Sequence, residues 1–167
     1  MLGLIPIIFC SLVFAAAISD LVTMRIPNWL SIAIAALFFF YFALSSAPLS
    51  DLLGHALGGT VVFLVCFTLF ALGWIGGGDA KLMSSMSLWF GWSPDLLSFL
   101  TWTALSGLAL TVALLLFRAL PVLPLGLGKA SWIARLHDRK TGVPYGVAIA
   151  AGGLVVVYQN FPNLIAI

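Results

Sequence analysis

The run from Leu53 to Ile75, LGHALGGTVVFLVCFTLFALGWI, holds no Lys, Arg, Asp or Glu. A helix that crosses a bilayer needs roughly 20 predominantly apolar residues, and this run supplies them. Its apolar residues are continuous and do not alternate, so a membrane β-barrel strand is disfavoured. The run breaks at Gly76-Gly77-Gly78-Asp79. Working outward from it, five more apolar segments can be marked: about Leu2 to Ser19, Trp29 to Leu44, Ala80 to Trp92, Leu96 to Phe117 and Val143 to Tyr158. The expected fold class is all-α, a polytopic membrane protein of about six helices in one domain over residues 1–167. The fourth and sixth segments are short for full spans.

Composition agrees. The chain has 167 residues, 63% hydrophobic and 7% charged, with seven Lys or Arg and five acids. A soluble domain carries about a quarter charged residues, so this chain cannot cover itself in water. A net charge of +2 without a basic stripe offers little to nucleic-acid phosphates. Cys10 and Cys66 lie inside apolar runs and read as packed residues. The first segment has no basic stretch before it and no clear cleavage site, so it reads as a retained helix.

The seven bases define a topology. Arg25 and Lys81 fall in the first and third links, and Arg118, Lys129, Arg135, Arg139 and Lys140 fall in or beside the fifth. All therefore lie on one side of a six-helix arrangement. The positive-inside rule makes that side cytoplasmic and puts both termini outside, in the periplasm. Trp132, Ile133 and Leu136 beside the bases of the fifth link predict a short interfacial helix.

Chemistry must come from few residues. There is no Glu, hence no zincin motif, no Cys-x-x-Cys and no P-loop. His55 and His137 read as packing or interfacial residues. Asp51 and Asp95 are placed like helix N-caps on the outer side, and Asp138 sits among bases that can pair with it. Asp20 and Asp79 differ: each abuts an apolar helix, and both lie on the expected cytoplasmic side. An Asp at the centre of a membrane helix costs about 2.5–3.5 kcal/mol to insert, less near the interface, and these two read either as unrelated helix caps or as one functional pair. Two close carboxylates cannot both ionise cheaply; they share a proton and can act as general base and general acid on a water and a carbonyl. No metal or other cofactor is expected.

These residues resemble the type IV prepilin peptidases and, more distantly, preflagellin peptidases and presenilin-type proteases. Gly76-Gly77-Gly78-Asp79-Ala80-Lys81 is similar to the family's Gly-x-Gly-Asp-x-Lys, and Asp20 followed by Arg25-Ile26-Pro27-Asn28 to the segment after the family's first helix. Pro144-Tyr145-Gly146 is similar to the family's Pro-[Tyr/Phe]-Gly. The resemblance implies that Asp20 and Asp79 are catalytic, and that Gly76, Gly78, Lys81, Arg25, Pro27, Asn28, Pro144, Tyr145 and Gly146 shape the site. It implies a membrane aspartyl endopeptidase of the bacterial inner membrane, with prepilins and pseudopilins as substrates and pilus assembly machinery as a further partner. The chain lacks the cysteine-bearing region of the larger, N-methylating enzymes and looks like the short Tad/Cpa form of Flp pilus systems. Two other classes fit the composition: a small transporter or channel subunit using Asp20 and Asp79 for protons or cations, and a non-catalytic membrane scaffold.

Overall fold

The computed structural model describes residues 4–121 and 130–165, with side chains placed through residue 160. Residues 1–3, where the first expected segment begins, and Lys129 lie outside the described residues. Seven helices follow in order: α1 (Ile5–Thr23), α2 (Asn28–Leu44), α3 (Leu49–Ala71), α4 (Gly77–Phe90), α5 (Pro94–Ala119), α6 (Ser131–His137) and α7 (Tyr145–Ile165). No strand occurs among the described residues.

Leaving aside the short α6, the long helices alternate in direction, so their links gather at two ends of the bundle. One end carries Arg25, Lys81, Arg118, Arg135, Arg139 and Lys140 and is called the basic end below. α1, α3 and α5 are each long and apolar enough to cross a membrane; α2 and the first part of α7 are shorter apolar helices. Each of the six apolar segments thus holds a helix, and among the described residues three helices have both the length and the apolar composition of a span. Large apolar side chains such as Ile18, Phe40, Leu64 and Leu116 point outward and are exposed. Such a surface is tolerated in lipid and not in water.

α4 occupies the centre. It packs on α2, α3, α5 and α7. Its 14 residues reach only about 21 Å at 1.5 Å per residue. It also carries hydroxyls that lipid would penalise, and its neighbours shield them. Ser84 donates to Ala80 O at 2.6 Å, Ser85 to Leu82 O at 2.9 Å and Ser87 to Met83 O at 2.8 Å. Around this axis Phe9 and Val13 of α1, Ile34 of α2, Val62 and Cys66 of α3, Met86 of α4, Phe99 of α5 and Ile149 and Val156 of α7 form the core.

Several local expectations need revision. α1 does not end at Ser19 but runs through Asp20 to Thr23. Met24, in the left-handed region at φ 55°, closes it by donating its N–H to Asp20 O. Asp95 is not a cap. Ser93 is, its hydroxyl accepting from Asp95 N–H at 3.1 Å, while Asp95 occupies the first turn. Asp51 likewise lies in the first turn of α3, after Pro48 at the cap position. Both acids still face the positive helix end. Asp138 accepts the backbone N–H of Lys140 at 2.9 Å and closes a turn after α6, where charge pairing was expected. Local backbone donors are nearer than the ends of long basic side chains.

Other expectations hold. Cys10 and Cys66 are free thiols. The imidazole of His55 is bonded to Leu88 O at 2.7 Å and lies against Phe38, and that of His137 is bonded to Leu120 O at 3.0 Å. The short helix expected in the fifth link is α6. Its Leu136 is buried, and its Arg135 reaches across to Val22 O at the end of α1 at 3.0 Å.

Candidate active site

Asp20 lies in the last turn of α1 and is buried, 6% exposed. Its Oδ2 accepts the backbone N–H of Gly146, in the first turn of α7, at 2.7 Å. That bond demands close backbone approach, which only glycine permits. A Cβ on Gly146 would stand 2.9 Å from Asp20 Oδ2 and 2.8 Å from Ile26 Cδ1. Pro144 just before it is fully buried and, lacking an N–H, opens α7 without losing a helix bond.

Asp79 lies in the first turn of α4, half-buried. Gly76 precedes that helix, and a Cβ there would meet Asp79 Oδ2 at 2.8 Å. Gly78 packs on Ile26, whose Cβ would lie 3.2 Å from one on the glycine. Ile26 thus touches both the Gly78–Asp79 turn and Gly146, which holds Asp20. Through this wedge the C-terminal end of α1 and the N-terminal ends of α4 and α7 converge at the basic end. Asp20 and Asp79 are thus brought to the same end around Ile26, and Tyr145 lines one cavity with Asp79.

A cavity of about 950 Å³ opens beside Asp79 between α3, α4, α5 and the start of α7. Asp79, Gly76 and Tyr145 line its basic end, and Val65, Leu69, Leu97 and Leu100 make its walls apolar. Asp20, bonded to Gly146, does not line it. No group of three or more His, Cys, Asp or Glu side chains that could hold a metal ion occurs among the described residues.

The remaining candidates divide. Tyr145 stands at the cavity, and Pro144 before it is fully buried. Lys81 turns away from Asp79: its Nζ donates to Asn28 Oδ1 at 2.9 Å and ties the start of α4 to the start of α2. Arg25 contributes its carbonyl, which accepts from Ser19 Oγ at 2.9 Å and from Thr23 Oγ1 at 3.2 Å, and Pro27 sets the cap position of α2. The two bonds to Arg25 O fix the α1–α2 link that carries Ile26.

Two contributors escaped the sequence reading. Gly107, inside α5, makes the notch for Tyr145: a Cβ there would lie 2.6 Å from the ring. A glycine within an apolar helix was the available signal. Arg118, read as a link base, is 9% exposed. It donates to Leu136 O at 2.7 Å, Gly142 O at 2.8 Å and Thr141 Oγ1 at 3.1 Å. It thereby holds the segment that leads into Pro144-Tyr145-Gly146.

Neither a curated protein nor a solved structure gives a significant match to the chain. A family model described as the type IV leader peptidase family matches residues 7–112. The matched span contains Asp20, Arg25 to Asn28 and Gly76 to Lys81, and it stops before Pro144. With well over half its length covered, the chain belongs to the type IV leader peptidase family.

Proposed function

We propose that this protein is a two-aspartate endopeptidase that removes the leader from type IV, Flp-like prepilins and pseudopilins at the cytoplasmic face of the bacterial inner membrane. The observation that carries the reading is that Ile26 packs against both Gly78, beside Asp79, and Gly146, whose N–H holds Asp20, so that two helix ends bearing the carboxyls meet beside an apolar cavity that Asp79 lines. The basic end is the cytoplasmic end by the positive-inside rule. The cavity suits the apolar helix of a substrate, with the scissile bond at its mouth beside Asp79.

In the reaction one carboxyl is ionised and the other protonated. The ionised one takes a proton from water as the water oxygen bonds to the scissile carbonyl carbon. The protonated one gives its proton to the carbonyl oxygen. The gem-diol then breaks its C–N bond. The proton taken from water passes to the leaving nitrogen, and a hydroxyl proton returns to the second carboxylate, so the pair ends as it began. No metal is used.

Co-expression of a prepilin with Asp20→Asn or Asp79→Asn, read by immunoblot, tests this. Each variant is expected to insert normally and leave the prepilin uncleaved. Full processing by either one overturns the two-aspartate reading.

A further inference from the structure

A second groove lies on the side of α4 away from Asp79. It opens between α2 and α3, has a volume of about 460 Å³ and includes neither aspartate. α2 and α3 pack chiefly on α4, which leaves this space between them.

The polarity of the groove is graded. At the basic end Lys81 and Asn28 face each other at 2.9 Å. Asn28 is a neutral amide, so this contact leaves the lysine charge uncancelled. One turn in is Ser31, 6% exposed, whose hydroxyl has no hydrogen-bond partner. The carbonyl four residues before it, on Pro27, is taken by Leu30 N–H. A buried hydroxyl without a partner is costly, and Ser31 lines the groove. Seven residues beyond Asn28 on α2 and beyond Lys81 on α4, about 10 Å deeper at 1.5 Å per residue, the walls are Ala35 and Leu88, with Thr60 of α3 also on the lining; Ser84 and Ser85 between them donate their hydroxyls to Ala80 O and Leu82 O. Phe63 of α3 closes the side.

A cation at the membrane boundary, a free hydroxyl just below it and apolar walls beneath match one ligand chemistry in sequence: phosphate, ester oxygen, acyl chain. We infer that this groove binds an anionic phospholipid. Its phosphate sits on Lys81 and the Asn28 amide, an ester carbonyl accepts from Ser31 Oγ, and an acyl chain lies along Ala35 and Phe63. A neutral lipid leaves Lys81 uncompensated, and a free phosphate leaves the apolar walls and Ser31 unused. The bound lipid fills the gap between α2 and α3 and braces the start of α4, the helix that carries Asp79.

The test is native mass spectrometry of the full chain released from nanodiscs made of equal parts phosphatidylglycerol and phosphatidylcholine. Phosphatidylglycerol is expected to be retained over phosphatidylcholine by about fivefold, the worth of one basic side chain near an anionic surface. Lys81→Gln is expected to bring the ratio toward one, and Lys81→Arg to keep it. Ser31→Ala, which adds no bulk, and Ala35→Phe, which fills the wall, are each expected to lower retention. Lys140→Gln, at the basic end but outside the groove, is expected to leave retention unchanged. Equal retention of the two lipids, or undiminished retention in Lys81→Gln, overturns the inference. Displacement of the lipid by millimolar inorganic phosphate also overturns it, in favour of a free-anion site. The readout is lipid occupancy, so failure of the peptidase reading leaves this result standing on its own.

Discussion

The backbone N–H of Gly146 is held 2.7 Å from Oδ2 of Asp20, a contact between residues 126 positions apart. It joins the end of the first helix to the start of the last, and nothing larger than hydrogen fits at Gly146 Cα without moving Asp20 or Ile26.

Gly146→Ala is therefore expected to cut prepilin cleavage by about 100-fold, the scale of loss that a misplacement near 1 Å produces. Gly142→Ala is the matched control, since a Cβ there meets nothing within 4 Å. The two are compared by the rate of processing at equal membrane abundance. Equal activity of the two variants contradicts the positioning argument.

Gly107 and Tyr145 form a second such pair. A methyl group at Gly107 overpacks the ring, at a cost of about 1–3 kcal/mol. Gly107→Ala is expected to lower the melting temperature and slow cleavage. Adding Tyr145→Ala relieves the clash, so the double variant is expected to be more stable than the sum of the single effects. Thermal unfolding of the four proteins of the cycle measures the coupling.

Arg118 is satisfied by two carbonyls and a hydroxyl. Hydrogen bonds to a charged group contribute about 1.5–3 kcal/mol each, most of it lost when one partner disappears from a buried place. Arg118→Met is expected to loosen residues 138–143 and expose them to limited proteolysis. Arg118→Lys keeps the charge but not the fork and is expected to protect only in part. Unchanged protease resistance in Arg118→Met argues against this role.

Chelation distinguishes the proposed mechanism from metal hydrolysis. Excess EDTA is expected to leave the rate of prepilin cleavage within experimental error of the untreated rate. A loss that added zinc restores contradicts the metal-free scheme.

Much of this was legible along the chain. The apolar run Leu53 to Ile75 and its neighbours announce helices because length and continuous apolarity are local properties, and each of the six segments holds a helix. The scarcity of charge drew attention to Asp20 and Asp79 without any structure, since these two abut apolar helices on the side that carries the bases. Boundaries were less legible. The extension of α1 past Asp20 depends on the left-handed turn at Met24 and on hydroxyls of Ser19 and Thr23 that bond to a carbonyl further on.

Local sequence thus determined the helices, the membrane character and the two acids, because apolar length and charge are counted residue by residue. Which backbone N–H meets Asp20, which face of α4 bears Asp79 and which bears Lys81, and why Arg118 is buried were decided only by tertiary packing. Each depends on helices distant in sequence coming into contact. Lys81 shows the difference most plainly: two residues from Asp79 in the chain, it opens onto another groove, because successive positions on a helix turn to different faces.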